Sequence, residues 1–491
     1  MGRGIPYAEA WPSRKAKPQV RKGFKMSIQA LIVASVAVLP QGQQETATYR
    51  PLFSEVEKAK IVAYWSEPGR YIVGPVPGTE ESGPWAVRLP PEASQWFWDY
   101  NRARGLAKTP PSQTPPASND EQKAWEAWID AKVARDRWLA GKDAESRNTE
   151  ETGKTAVLAD TIEPPDPGPM PDGLAKLMRT PPTFAVCVQP RQHTIRFDEG
   201  LTLSYSDYVP MRMRYAYFRF PQGVMSGGTP VRNLPQEELD RLFKEAGITT
   251  FEQRVMKAVS MLEGGFDSIN TYDTGYVSVG LIQFACLKDG IGSLGALLLR
   301  HKTENLEAFD TDFRQFGIDV SPLGELAAVD PVSGEELIGP AAAMKIIQEP
   351  RLAAVFQRAG RVSRGFRVAQ IKTAKAQYYP DSDTVTVSIN GQPATVKVGD
   401  FIKTEAGMAT LMDRKVNTGK LDPLPAVLNK LIADLGIVKL EELADYEWDI
   451  VSLMKYRRDY LAETALTQPD RKQGRKGRNG GKVIGRSAGS L

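Results

Sequence analysis

Ser260-Met-Leu-Glu263-Gly-Gly-Phe-Asp267-Ser-Ile-Asn270-Thr-Tyr-Asp273-Thr-Gly-Tyr276-Val-Ser-Val-Gly280-Leu-Ile-Gln283-Phe284 decides how this 491-residue chain is read. A lone carboxylate closes an amphipathic helix. A glycine pair follows at once, then a loop rich in Gly, Asp, Asn and Tyr, then a short apolar segment. Upstream, Thr250 and Gln253 have the spacing of a capping box. Phe251, Val255, Ala258, Val259 and Leu262 recur at helical spacing, which predicts an apolar stripe packed on a core. Glu263 lies beside that stripe at the C-terminal end, where Gly264 and Gly265 can stop the helix in a left-handed turn. The helix dipole favours cations at that end, so an anion is not placed there for helix stability. Next to Leu262, Phe266 and Phe284 the carboxyl is expected to be partly desolvated, which raises a carboxyl pKa.

A Glu at a helix end is ordinarily a solvated surface residue. Here Asn270, Tyr272, Asp273, Tyr276 and Gln283 surround it with groups suited to sugar hydroxyls and ring faces, in a segment whose glycines permit close backbone approach. A glutamic acid that stays protonated near neutral pH is what cleavage of a glycosidic bond requires, because the leaving oxygen must receive a proton. The order of Glu263, a short polar loop and Gly280-Leu281-Ile282-Gln283 resembles the lysozyme-like superfamily, in particular lytic transglycosylases and goose-type lysozymes. The Gly-Gly-Phe-Asp and Asn-Thr-Tyr-Asp elements are also similar to chitosanase-like members. The resemblance is sharp over 250–285, and Gly264 departs from it, standing where those enzymes usually carry Ser. It implies Glu263 as catalytic acid, with Asn270, Tyr272, Tyr276 and Gln283 binding or orienting the sugar. It also implies a choice of outcome. A hydrolase needs a second carboxylate, for which Asp273 is the first candidate and Asp267 the second, although either Asp suits a plain turn role. A lytic transglycosylase uses the one Glu as acid and then base and leaves a 1,6-anhydromuramoyl end.

The remaining chain sets the context. The net charge of +4 is unevenly placed: residues 471–491 hold seven basic residues and no acid, and residues 1–25 hold seven basic residues and Glu9, so the body between is acidic. The Gly/Arg/Lys-rich tail lacks a hydrophobic pattern and is expected to be disordered. Besides aiding solubility, it can attract a polyanion, but without interleaved aromatics it is no specific nucleic-acid site. Residues 28–39 are mostly apolar after a basic leader, the length of a signal-peptide core and too short to span a membrane; a buried strand or helix is the alternative. Cys187 and Cys286 lie far apart, and with only His193 and His301 present a His-based metal site or triad is not expected. No glycine-rich nucleotide loop, zinc spacing or calcium loop occurs, so catalysis is expected to need no cofactor.

Thr-Pro-Pro-Ser-Gln-Thr-Pro-Pro within 108–120 and Glu-Pro-Pro-Asp-Pro-Gly-Pro within 163–173 read as linkers. Residues 120–141 read as a helix carrying Trp125, Trp128 and Trp138, and 182–220 as a small β-rich unit. From 236 the pattern is helical (292–302, 340–358, 363–377, 404–415, 423–435, 440–465), and Thr384–Val398 interrupts it as a hairpin with Asn390-Gly391 at its turn. In that last part Asp413 and Arg414 read as structural. The expected architecture is α+β. It comprises a leader (1–41), an accessory region (42–162), a linker and β-rich unit (163–235), a mainly helical lysozyme-like domain (236–465) and a basic tail (466–491). The implied partner is peptidoglycan or a related glycan, met outside the cell membrane, at the cell wall or from a phage virion, with no transmembrane helix. Cleavage of another amino-sugar polymer such as chitosan, and a non-enzymatic wall-binding or virion role on the same scaffold, are the competing readings.

Overall fold

A computed structural model describes residues 51–79, 83–106, 119–153, 162–454 and 459–471. The apolar 28–39 segment, nearly all of the first Pro-rich linker and the tail beyond 471 lie outside the described residues. The described chain is α+β, with many helices and five small antiparallel sheets.

The helix that carries the acid runs Thr250–Glu263. Its capping box sits one residue earlier than the sequence spacing indicated: the Thr249 hydroxyl accepts from the Glu252 N–H, and the Glu252 carboxylate accepts from the Thr249 N–H at 2.8 Å. Extended backbone at Thr249 is what places that side chain over the open N–H groups. Val255, Met256, Val259 and Ser260 are its buried residues. Leu262 does not belong to that face. It is 48% exposed, and Met261 55%, because the buried face runs through Met256 and Ser260 and turns these two residues toward solvent. Glu263, one turn beyond Val259 and Ser260, continues the buried face and is itself part-exposed.

Beyond the helix lies a four-stranded antiparallel sheet in the order Met225–Ser226, Ile269–Asn270, Ser278–Val279, Phe284–Ala285. The Asn270–Gln283 region thus folds as two short-stranded hairpins, the first with a long connection over 271–277. Helix Glu405–Thr418 packs along the acid-bearing helix, and Arg364–Tyr378 packs against both Gly292–Glu304 and Gln236–Glu245. The single helix expected over 340–358 is two, Pro340–Gln348 and Pro350–Val362. Pro350 brings no N–H and pushes Glu349 out of helical geometry, which breaks the run. The hairpin forms as read, Thr384–Ile389 with Gln392–Lys397, and Asn390 and Gly391 both take positive φ. It is held by Asn429, whose side chain accepts from the Ser388 N–H at 2.7 Å.

Strands from the two regions upstream of 236 pair with one another. Tyr71–Pro75 joins Arg191–Arg196 and Thr202–Ser206 in one sheet, and Ala86–Arg88 pairs with Val186–Val188. One continuous apolar core runs from Phe53, Ile61 and Trp65 through Phe197 and Phe266 to Leu466. A second core gathers Trp96, Phe97, Tyr100, Ile129 and Phe184. The helix read over 120–141 extends over Asp120–Thr152, where Gly153 closes it in a left-handed turn. Both cysteines are free thiols. Among the described residues no helix is long and apolar enough to cross a membrane.

Candidate functional site

The chain turns abruptly after Glu263 because Gly264 adopts φ +152°, a conformation L side chains rarely adopt. There is no room for a side chain either. A Cβ on Gly264 would lie 2.6 Å from Ser268 Oγ, one on Gly265 2.0 Å from the Thr229 carbonyl, and one on Gly360 2.1 Å from the Phe266 carbonyl. The glycines let three backbone segments close around the end of the helix. The Ser found here in the lysozyme-like pattern therefore does not fit this chain. Gly264→Ser is expected to lower stability by about 1–3 kcal/mol, through backbone strain and the clash with Ser268. Denaturant unfolding measures it, and a variant as stable as the parent would contradict this geometry.

The loop is braced from four directions. Asp267 is buried; its carboxylate accepts from the Thr229 N–H at 2.6 Å, from the Thr229 hydroxyl at 3.3 Å and from Arg361 Nε at 3.0 Å. Ser268 Oγ donates to the Gly280 carbonyl at 2.9 Å and accepts from the Gln283 side-chain amide at 2.7 Å. Gln370, fully buried on Arg364–Tyr378, donates to the Phe266 carbonyl at 2.9 Å and accepts from the Leu281 N–H at 3.0 Å. Its one amide joins the turn after the acid to the Gly-Leu-Ile-Gln segment.

Glu263 is half-buried, and Asn417 Nδ2 on Glu405–Thr418 lies 3.4 Å from its Oε1. The same nitrogen lies 3.3 Å from Asp413 Oδ1 and donates to the Asp413 carbonyl at 2.9 Å. The Glu263 and Asp413 oxygens are thus no farther apart than those two distances added together. Gln283 takes φ +55° at the tight turn and aims its amide at the Glu263–Gly264 corner, 3.5 Å from where a Gly264 Cβ would sit. The structure therefore places the Gln283 amide and Ser268 beside Gly264, the residue that follows Glu263.

The other sequence-derived residues form a second group. Asn270 donates to Asp273 Oδ2 at 2.8 Å and accepts from the Tyr272 N–H at 3.1 Å, while Asp273 Oδ1 accepts from the Gly275 N–H at 2.8 Å. Burial pushes the Asp273 carboxyl above its usual range, against the opposing pull of the Gly275 N–H, the Asn270 amide and the Arg219 charge. Each Asp273 oxygen accepts a bond from its own turn. The Tyr272 ring faces Tyr215 and Phe218, and the Tyr276 ring meets Phe220 edge-on at 4.9 Å. These two tyrosines are thereby tied to Pro210–Phe220, which crosses the loop: the Tyr272 carbonyl accepts from the Arg219 and Phe220 N–H groups at 2.9 and 3.1 Å.

Four contributors were not singled out for the site from sequence: Asn417, Gln370, Arg361 and Ser268. Asp413, read as structural, is fully buried beside the acid. No family model matches the chain, and neither a curated protein nor a solved structure matches it.

Proposed function

We propose that this protein cleaves the glycan strand of peptidoglycan on a lysozyme-like catalytic domain, with Glu263 as general acid and then general base. The observation that carries the reading is the meeting of two sequence signals that lie twenty residues apart. Glu263 ends its helix at Gly264, and the Gln283 amide packs against that same glycine, which is consistent with an acid and a sugar-orienting side chain on one corner.

The surroundings favour the transglycosylase outcome over hydrolysis. An inverting hydrolase needs a base with room for a water at roughly 6.5–9.5 Å from the acid, and a retaining one a nucleophile at about 5–5.5 Å. Asp267 is consumed by Thr229 and Arg361. Asp273 is engaged by its turn on both oxygens. Asp413 is near enough but has no exposed surface from which to hold a water. Glu263 acting alone protonates the glycosidic oxygen as the C1–O bond breaks. The resulting carboxylate then takes the proton of the C6 hydroxyl, whose oxygen closes on C1. The leaving sugar keeps the first proton, and the acid is restored by the second.

Digestion of purified peptidoglycan followed by mass spectrometry of the fragments tests this. Fragments ending in 1,6-anhydromuramic acid, one water lighter than reducing ends, are the expected product. Reducing ends alone would assign a hydrolase. No fragments from peptidoglycan, with cleavage of chitosan, would move the substrate to another amino-sugar polymer.

A further inference from the structure

Pro210-Met-Arg-Met-Arg-Tyr-Ala-Tyr-Phe-Arg-Phe220 interleaves arginines with aromatics and is not used by the proposed cleavage. It lies along the loop that carries Asn270 and Asp273, joined by an isolated bridge between Phe218 and Asp273. Where the two segments meet they border an open surface hollow of about 390 Å³ lined by Pro210, Met211, Arg212, Tyr215 and Tyr272. That is within the range of ligand pockets, roughly 300–1,000 Å³.

Its lining is specific in kind. The Tyr215 and Tyr272 rings stand 6.2 Å apart and inclined at 47°. Tyr215 is anchored from behind, because its carbonyl accepts from the Ser94 hydroxyl at 2.7 Å. Tyrosine pairs of this kind offer broad, weakly polar faces at small loss of side-chain freedom. The three arginines of the segment differ in use. Arg214 is paired with Glu126 and Asp130. Arg219 bonds Ser94 and the Phe218 carbonyl and lies over Trp98. Arg212 lines the hollow, is exposed, and makes no ion pair among the described residues. A guanidinium at the rim of an aromatic pocket matches a planar carboxylate, which it can grip with two parallel N–H bonds.

We infer that this hollow is a saccharide subsite formed jointly by the upstream region and the candidate catalytic loop, with Arg212 reading a carboxylate carried by the sugar. The inference rests on the proposed glycan-cleaving function and adds to it a preference for acidic strands. Where a muramoyl unit carries no stem peptide, its ring lies against the tyrosines while its free lactyl carboxylate meets Arg212. The upstream region then sets where along a strand the enzyme grips.

Steady-state kinetics on soluble glycan strands stripped of their stem peptides, which expose free lactyl carboxylates, test it, using the full chain, R212A, R212E, and R241E as a charge-matched control on the exposed face of Gln236–Glu245. R212E is expected to raise KM about tenfold with kcat within about twofold, and R212A to raise it less, as for a lost charge-assisted hydrogen bond. R241E should match the parent. Parent-like KM in R212E, with the parent cleaving, overturns the subsite and leaves the proposed function standing. An equal rise in R241E assigns the effect to bulk charge and also overturns it. If the parent cleaves no strands, the proposed function falls and the subsite falls with it.

Discussion

Glu263→Gln should abolish strand cleavage, by about 10³–10⁴-fold, while leaving the fold as stable as the parent to within about 0.5 kcal/mol. The two halves of this expectation have separate causes. The side chain ends the helix half-buried, and the helix is secured elsewhere, by its Thr249–Glu252 box and its Val255–Met256–Val259 face. Glutamine has the same shape and can still accept from Asn417 through its carbonyl oxygen. It cannot supply a proton to a departing glycosidic oxygen, nor take one back from the C6 hydroxyl. Both steps of the proposed reaction fail, so the loss belongs to kcat and not to KM. Release of soluble muropeptides from purified walls gives the rate, and thermal unfolding gives the stability. A Glu263→Gln protein that lyses walls at the parental rate would sink the proposal. One that is inactive because it is unfolded would show instead that Glu263 serves the structure.

How far the sequence could be read follows from the range of each contact. The acid, its glycine pair and Gly-Leu-Ile-Gln lie within about a score of residues. Their meeting needs one tight turn and a short sheet, both announced by glycines and polar turn residues. The Asn390-Gly391 hairpin was legible for the same reason. What could not be read is long-range. Asn417 reaches Glu263 across 154 positions and Gln370 reaches Phe266 across 104, and nothing in the local pattern of either helix marks the residue that turns inward. The helical periodicity overstated Leu262 because the buried face runs through Met256 and Ser260, rotated from the apolar stripe read through Ala258 and Leu262. Pro-rich punctuation suggested a boundary before the β-rich unit, whereas Tyr71–Pro75 and Ala86–Arg88 from upstream pair with strands beyond it. Pairing between distant strands leaves little trace in one sequence.

Gln370→Leu should destabilise the protein by about 2–5 kcal/mol and remove activity besides. Leucine fills a similar volume, so the expected loss comes from hydrogen bonding and not from a cavity. The substitution leaves the Phe266 carbonyl and the Leu281 N–H buried without their partner, and an orphaned buried group costs about 1–3 kcal/mol. No solvent is at hand to replace the amide, since Phe266 and Leu281 are themselves 1% and 0% exposed. Gly280 has already conceded its Cβ to this contact: a methyl group there would lie 2.2 Å from Gln370 Oε1. Because the amide spans the turn after Glu263 and the segment before Gln283, its loss frees these two segments to move apart. Activity should then fall further than the unfolded fraction explains. Gln370→Glu separates the two bonds. A carboxylate still accepts from the Leu281 N–H, but its second oxygen is set against the Phe266 carbonyl, two acceptors with no proton between them. That variant should rescue neither stability nor rate at neutral pH. It should recover part of both as the solution is acidified and the new carboxyl gains the proton that restores a donor toward Phe266. A pH-independent Gln370→Glu protein, or a Gln370→Leu protein within about 0.5 kcal/mol of the parent by denaturant unfolding, would mean that the two segments are held by the surrounding packing and not by this amide.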